Sequence, residues 1–342
     1  MSLLDKWRDK YSNDLIPMQV TFELTYHCNE RCGHCYLSTF DDRTDGRPTL
    51  KLEEWKTILD QLAHAGTLYL ILIGGEAMMH PQFWAIAEHA AQRNFAQSLI
   101  TNGLLLDDAA AQKIAELGFF QVALSLYSLD PQVHDRMTRR QGSHARILAA
   151  IDRLRRNNVR VTLNCLLTNQ NIDDSFALRD WATAENLQIG FDPLVTAKNN
   201  ESLDSTVTRA TAEQLSAFYR EQKRRGFGPL PLAAEAPDAP VCNAGRGKCA
   251  VNPYGDLLTC LEVRESIGNL RKHTFDELWH SPQAEKLRGY KVRDLKFDPS
   301  CGDGAFCDHC PGMAGAEVKD RMAPVPFLME VARIKREVFE EI

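Results

Sequence analysis

The sequence predicts an α/β fold: a partial, open (β/α)6 barrel followed by a small cysteine-rich domain. Six short β-type runs alternate with amphipathic helical stretches between about residues 17 and 195. Six strands are too few for a closed eight-stranded barrel, so we expect an open one. Beyond a Gly-, Pro- and Ala-rich stretch, six cysteines gather where apolar residues are sparse. Bound metal would have to stabilise such a region.

The predicted strands are short apolar runs, and each is followed by a helix-like segment. We therefore expect a parallel sheet with function at the carboxyl ends of its strands. We also expect Ser143 to be the N-cap of the helix that begins near residue 144. The strands are residues 18–24, 68–73, 97–101, 120–126, 159–167 and 187–194, and the helices are residues 52–65, 82–93, 107–117, 144–157, 174–186, 211–225 and 325–341.

Changes in composition along the chain predict four parts. An N-terminal extension covers residues 1–16, the partial barrel covers 17–225, a linker covers 226–240, and the cysteine-rich domain with its final helix covers 241–342. The linker is expected because GFGPLPLAAEAPDAP combines turn and small residues.

The overall composition excludes some classes of partner. The net charge is −6, which gives no broad basic surface for nucleic acid. No apolar run of about 18 residues appears, so no membrane partner is expected. The N-terminus lacks a signal-peptide pattern, which predicts a cytoplasmic protein with reduced thiols. Nine of the ten cysteines fall within residues 28–35 and 242–310, and this clustering indicates metal.

Cys28, Cys32 and Cys35 follow the first predicted strand in the segment TYHCNERCGHCYL. Three thiolates on one short loop can hold one face of a cuboidal iron–sulfur cluster and leave the fourth iron open to a cofactor or substrate. The alternative is a zinc knuckle that takes a distant fourth ligand.

The second predicted strand ends in LIGGEAMMHP. Gly74 and Gly75 carry no Cβ, so their backbone can approach a ligand closely, and Glu76 offers a carboxylate beside them. The alternative is a tight turn with a solvated glutamate.

The C-x3-C-x2-C spacing after the first strand resembles the radical S-adenosylmethionine (SAM) superfamily, and the resemblance covers essentially the whole chain. It implies that the cluster on Cys28, Cys32 and Cys35 cleaves SAM to methionine and a 5′-deoxyadenosyl radical, which abstracts a hydrogen atom from the substrate. The cofactor supplies this chemistry, and the protein orients it.

The resemblance also implies which residues contact SAM. The Gly-Gly-Glu motif would bind its amino group, and the SLY…HDR…GS stretch would bring a serine and an arginine to its carboxylate and ribose. The arginine is alternatively a surface ion pair. The residues implied are His34, Tyr36, Gly74, Gly75, Glu76, Ser125, Arg136 and Asn164.

The run VCNAGRGKCAVNPYGDLLTC carries Cys242, Cys249 and Cys260, with a Pro-Tyr-Gly-Asp turn that predicts a hairpin. The run, with the helix TFDELWHS after it, resembles SPASM/twitch domains, which hold auxiliary [4Fe–4S] clusters. The resemblance implies an auxiliary cluster on Cys242, Cys249, Cys260 and Cys310.

A second auxiliary site is expected to be degraded or absent. Cys301 and Cys307 remain, but Asp298 replaces one expected cysteine and the last expected position falls near residues 328–329. Zinc on Cys301, Cys307, Cys310 and Asp298 is the alternative.

The resemblance is to maturases of ribosomally synthesised peptides. It implies an oxidoreductase that cross-links, epimerises or oxidises a precursor peptide, supplied with electrons by a flavodoxin or ferredoxin. Fewer than twenty residues precede the first strand, so we expect a separate recognition protein or the C-terminal domain to bind the precursor. The alternatives are tetrapyrrole modification in heme pathways, a sulfatase-maturase-like activity, and a non-catalytic iron–sulfur or zinc scaffold.

Overall fold

The computed structural model of the chain describes residue 11 and residues 14–38, 46–228, 236–298 and 302–340. Most of the predicted N-terminal extension, residues 229–235 of the predicted linker, and Cys301 lie outside the described residues.

Within the described ranges, nine strands form one open sheet in the order β6-β5-β4-β3-β2-β1-β7-β8-β9. The first six pair in parallel, so the predicted α/β class and the six barrel strands are confirmed. The strands are β1 Gln19–Glu23, β2 Tyr69–Ile73, β3 Ala96–Thr101, β4 Gln121–Ser125, β5 Val161–Leu166, β6 Gln188–Asp192, β7 Lys248–Val251, β8 Asp256–Leu258 and β9 Ser266–Asn269.

Helices connect the strands and cover the outer face of the sheet. Of those described below, α4, α9 and α10 were not predicted, because helices of one or two turns show too little periodicity. None of the helices in the described ranges is long and apolar enough to span a bilayer. They are α1 Leu52–His64, α2 Phe83–Gln92, α3 Asp108–Glu116, α4 Pro131–Thr138, α5 Ser143–Arg156, α6 Ser175–Ala184, α7 Ala212–Arg224, α8 Phe275–Trp279, α9 Pro282–Arg288, α10 Pro311–Val318 and α11 Pro326–Phe339.

The two faces of β1 show how the sheet separates packing from chemistry. Val20 and Phe22 are fully buried on the outer face, where the Phe22 ring lies 4.7 Å from that of Trp55 on α1. Burying a Phe side chain stabilises the fold by about 1.5–3 kcal/mol. Alternate residues point the other way, so Glu23 faces the barrel interior. Polar side chains are thereby directed to the inner face.

The cysteine-rich region continues the barrel sheet. Strand β7 pairs in parallel with β1, with Phe22 opposite Val251, and β8 and β9 follow antiparallel. The predicted Pro-Tyr-Gly-Asp turn joins β7 and β8, and Gly255 takes a φ of +86°, which glycine adopts without a steric cost. The two predicted domains therefore share one sheet.

The expected N-cap of α5 is wrong. Gly142 is the N-cap, with a φ of +78°, and Ser143 is the first helical residue with its side chain fully buried. The Ser143 hydroxyl instead donates to the carboxylate of Glu30, in the loop after β1. Because this hydroxyl is bonded to a carboxylate in another loop, it does not cap the backbone N–H groups at the start of its own helix.

Candidate active site

A cavity of about 300 Å³ lies at the carboxyl ends of the parallel strands. The loop after β1 lines it with Cys28, Cys32 and Cys35, and the turn after β2 lines it with Gly74 and Gly75. Its remaining walls come from the ends of β3 to β6 and from the segment after β8. The cavity thus occupies the position at which barrel enzymes place their reacting groups.

The three cysteine thiols of this loop lie close together. Burial raises the pKa of Cys28 to about 12, and the pKa of Cys32 is raised by burial and by the thiols of Cys35 and Cys28. Yet within the part of the chain that the structure describes, no three His, Cys, Asp or Glu side chains converge as ligands of one metal ion. An iron–sulfur cluster bonds each thiolate to a different iron, so this spacing fits a cluster better than the zinc alternative.

The backbone of the cysteine loop is held by α4. The N–H of Arg31 donates to the carbonyl of Thr138 at 3.0 Å, and the N–H of Gly33 donates to the carbonyl of Met137 at 3.3 Å. Because two loop amides are bonded to one helix end, the orientation of the cysteines depends on an element that the sequence pattern missed.

A chain of side-chain hydrogen bonds positions Glu30 between the cysteines. The Nδ1 of His134 accepts from the N–H of Tyr127 at 3.2 Å, so the proton of the neutral ring is on Nε2. That nitrogen lies 3.3 Å from the Ser143 Oγ, whose hydroxyl donates to Glu30. Burial lowers the pKa of His134 to about 4 and raises that of Glu30 to about 7. Sequence reasoning missed Glu30, although its place inside the C-x3-C motif was a signal.

The loop after β1 by itself requires glycine at positions 74 and 75. A Cβ on Gly74 would lie 2.2 Å from the carbonyl oxygen of Thr25, and a Cβ on Gly75 would lie 2.4 Å from that of His27. The Gly75 N–H donates to the Thr25 carbonyl at 2.7 Å. The glycines therefore allow the backbones after β1 and β2 to meet.

Glu76 is buried and accepts three hydrogen bonds from within the protein. Its Oε2 accepts from the Thr101 hydroxyl at 2.8 Å and the Asn102 N–H at 2.9 Å, and its Oε1 accepts from the Met78 N–H at 3.1 Å. Burial raises its pKa. The carboxylate is thus neither a solvated turn residue nor part of the cavity lining, and it fixes the loop after β3.

The structure separates Arg136, which follows β4, from the predicted ligands on β4 and β5 themselves. Ser125 lines the cavity, and Asn164 is its register partner on the same face of the sheet, though exposed. Arg136 does not reach the cavity. It is exposed on α4, where its Nε donates to the Gln170 Oε1 at 3.4 Å. The predicted contact between Arg136 and SAM is therefore not supported, because the unpredicted helix α4 directs this side chain outward.

His34 and Tyr36 both lie in the cavity wall. The His34 ring meets the Tyr127 ring edge-on at 4.7 Å, and burial lowers its pKa to about 4, which keeps the ring neutral. The carbonyl of Tyr36 accepts from the Asn199 N–H at 2.7 Å. A carbonyl has two acceptor positions, and the contact of this one with the adenine of SAM stays a prediction.

An ion pair missed by the sequence analysis joins β1 to the cysteine-rich region. Glu23 is fully buried and accepts from the Tyr36 hydroxyl at 2.8 Å, the Tyr26 hydroxyl at 3.1 Å and the Arg264 Nη1 at 3.1 Å. Burial is the largest influence and disfavours the charge of Arg264, but Glu23 and the neighbouring tyrosine and glutamate side chains together outweigh it, so the pKa of Arg264 is raised. The guanidinium also lies 4.8 Å from the centre of the Tyr36 ring.

Two further carboxyl groups line the wall formed by β6 and the segment after β8. Asp192 ends β6, and Glu262 lines both this cavity and an adjoining cavity of about 400 Å³. Loss of contact with solvent raises the pKa of each. Asp192 could have been found in the sequence, because it lies at the end of a predicted barrel strand.

Three of the four predicted ligands of the auxiliary cluster lie together. Burial raises the pKa of the Cys242 and Cys310 thiols, and the Cys260 thiol raises both further. Cys249 is paired with Val20 on the outer face of the sheet and is buried there, and burial alone raises its pKa. Its role as the fourth ligand stays a prediction.

The second auxiliary site is only partly within the described residues. Cys307 is buried, and its pKa is raised to about 11 by burial and by Asp308. Asp298 is exposed. Cys301 lies outside the described ranges. The degraded or absent second site therefore stays a prediction.

Two family models match the chain. Residues 22–182 match the model described as the radical SAM superfamily. Residues 242–311 match the SPASM model, described as an iron–sulfur cluster-binding domain. The matches fall on the two regions in which the structure brings cysteines together.

Curated relatives share about a quarter of their residues with this chain. The mycofactocin maturase MftC of Mycobacterium ulcerans is 27% identical, over 86% of this chain and 82% of its own. The AdoMet-dependent heme synthase of Methanosarcina barkeri is 25% identical, over 92% and 95%. The PqqA peptide cyclase of Granulibacter bethesdensis is 26% identical, over 80% and 76%.

Among solved structures, Streptococcus suis SuiB bound to S-adenosylmethionine has the same fold. The TM-score is 0.70 at 17% sequence identity, over 94% of this chain and 80% of the other. At this identity the likeness concerns the fold alone.

Proposed function

Because this chain belongs to the radical SAM superfamily and carries an SPASM domain, with the [4Fe–4S] clusters and SAM that these imply, we propose that it modifies a ribosomally made precursor peptide. The observation that carries the proposal is the placement of Cys28, Cys32 and Cys35 on one wall of the 300 Å³ cavity. We assign the SAM-binding cluster to these thiols. When bound, cluster and SAM supply a radical that abstracts hydrogen from an unactivated carbon.

The residues around the cavity orient its contents and exclude water. Gly74, Gly75, Ser125 and the Tyr36 carbonyl offer backbone and hydroxyl groups on the walls for SAM. Asp192 and Glu262 are suited to hold or accept a substrate proton, because burial raises the pKa of each above that of an ordinary carboxyl group. Glu262 also marks the route to the adjoining cavity, where a substrate longer than SAM has room.

Relatives support a peptide as the substrate. MftC is a maturase and the PqqA enzyme is a peptide cyclase, and both match most of this chain. We further propose that a separate protein or the cysteine-rich region binds the precursor, and that a flavodoxin or ferredoxin supplies electrons. The cytoplasm provides the reducing conditions that such thiols need.

A tetrapyrrole is the second candidate substrate. The heme synthase of Methanosarcina barkeri matches over 95% of its length. The adjoining cavity is lined by three cationic side chains, those of Lys198, Arg264 and Arg321, beside three glutamates. The cations suit the propionate groups of a porphyrin.

The test incubates anaerobically reconstituted protein with SAM, dithionite and either a candidate precursor peptide or iron-coproporphyrin III. We expect 5′-deoxyadenosine and a mass change in the peptide; a mass change in the porphyrin alone would favour the second candidate. The triple variant Cys28→Ala/Cys32→Ala/Cys35→Ala should make no 5′-deoxyadenosine. Cys165→Ala, which alters a buried cysteine in the core, is the matched control and should remain active. Wild-type rates in the triple variant would refute the assignment.

A further inference from the structure

Three exposed arginines lie at the C-terminal end of α4, in a protein whose net charge is −6. Arg136 lies in the last turn of the helix, Arg139 is its C-cap, and Arg140 follows. One cation at a helix end is favoured, because the last carbonyl groups carry partial negative charge. Like charges three or four residues apart repel each other, so the helix end alone does not account for all three.

Within the described ranges, none of these three guanidinium groups forms an ion pair. Arg136 donates to the uncharged side-chain amide of Gln170 at 3.4 Å. The carboxylate of Asp135, on the same helix, accepts instead from the backbone N–H groups of Gly142 and His144 at 2.6 and 2.9 Å. The three arginines thus present positive charge to the solvent, and we call them the arginine patch.

The arginine patch lies against the loop that carries the first three cysteines. A Cβ placed on Gly33 would be 3.4 Å from the Nη2 of Arg139, and Gly33 stands between Cys32 and Cys35. Arg139 also takes a φ of +52°, a left-handed conformation that helix ends usually assign to glycine. Because the cysteines line the cavity and Arg139 is exposed, the patch covers the outer side of this loop.

An electron carrier needs a surface of this kind. The carrier must bring its cofactor close to the cluster, and SAM and the substrate take up the cavity side of the loop, so the electron has to enter from the outer side. Electron-transfer complexes form small, transient interfaces, and charge steers their association. Arginine binds carboxylates bidentately and stacks on flat rings, which fits the acidic surface and exposed flavin of a flavodoxin.

We propose that Arg136, Arg139 and Arg140 form the docking surface for the acidic face of a flavodoxin, and that the electron enters the SAM-binding cluster through the loop at Gly33. The reduced flavin gives up one electron and the cluster takes it up, and no bond is made or broken in this step. The inference rests on the proposed function, which assigns that cluster to this loop. It also gives Arg136 a role outside the cavity.

The test compares binding and electron delivery in the reconstituted protein. The variant is Arg139→Gln/Arg140→Gln, and the matched control is Arg155→Gln/Arg156→Gln, which removes two exposed arginines of α5 and so changes the net charge equally. Isothermal titration with a purified bacterial flavodoxin, at about 0.05 M salt, gives the Kd. We expect the variant to raise the Kd about tenfold, through loss of charge pairing across the interface, and the control to change it less than twofold. At about 0.5 M salt most of this difference should disappear.

The rate of 5′-deoxyadenosine formation separates docking from damage to the site. With reduced flavodoxin, present below its Kd, the variant should be about tenfold slower than the wild type. With dithionite, which needs no docking surface, the two should be equal. Iron analysis and circular dichroism confirm cluster and fold, and Arg140→Gln alone carries the test if the double variant does not fold.

Three results would overturn the inference. They are a wild-type protein that does not bind flavodoxin, a Kd that changes equally in variant and control, and a rate that falls equally with both reductants. The proposed function would survive each of them, provided that the wild type forms 5′-deoxyadenosine with dithionite. If it forms none, the proposed function itself is wrong.

Discussion

Replacing Glu23 by Gln should destabilise the protein far more than its small change in shape suggests. The Glu23 carboxylate is fully buried and receives donors from Tyr26, Tyr36 and Arg264. Glu23→Gln keeps the size of the side chain but removes its charge, which leaves the Arg264 guanidinium without its counter-ion. The perturbation therefore tests whether this ion pair fastens the cysteine-rich region to β1.

The expected cost follows from the exposure of the two partners. Breaking a fully buried ion pair from one side costs about 3–5 kcal/mol. The side chain of Glu23 is 0% exposed and that of Arg264 is 20% exposed, so water can partly solvate the orphaned cation. We therefore expect Glu23→Gln to lower the free energy of unfolding by about 3 kcal/mol, at the lower end of that range.

Urea unfolding of reduced proteins matched for iron content measures this cost. The control is Glu185→Gln, because Glu185 and Arg155 are 43% and 42% exposed and such a pair contributes about 0–1 kcal/mol. The double variant Glu23→Gln/Arg264→Gln should lose less than the sum of the two single variants, because no charge is then orphaned. A loss in Glu23→Gln no larger than that in Glu185→Gln would refute the reasoning.

Three further outcomes follow from the site. Gly75→Ala should destabilise the protein by about 1–3 kcal/mol and weaken SAM binding, since its Cβ would lie 2.4 Å from a backbone oxygen. Gly190→Ala, whose Cβ would meet nothing within 4 Å, should change neither, and equal effects in thermal unfolding and equilibrium dialysis would contradict this. Arg136→Ala should change the SAM dissociation constant by less than about threefold, as for other exposed residues; a tenfold loss in dialysis would restore Arg136 as a ligand. Cluster assembly should improve between pH 6.5 and 8.5, because burial raises the pKa of Cys28 to about 12 and each thiol must lose a proton to bind iron. Iron bound after a fixed incubation measures this, and equal yields at both pH values would count against it.

The predicted residues that the structure brings together in one cavity wall lie close together along the chain. Cys28, Cys32 and Cys35 share one loop, and alternating apolar residues specify strands wherever the fold places them. The position of the cavity at the carboxyl ends of the strands, where Ser125 lies, could also be predicted from the sequence, because parallel strands align these ends.

The sequence by itself thus determined the fold class and the cysteine loop, because the spacing of a loop and the period of a strand are local properties. Only the tertiary structure decided what each polar side chain contacts. The partners Glu30 and Ser143 are 113 residues apart, and Glu23 and Arg264 are 241 apart. The direction of Arg136 likewise depends on α4, whose eight residues give too weak a pattern to predict. A side chain's partner is set by which elements pack together, and that packing is a property of the whole chain.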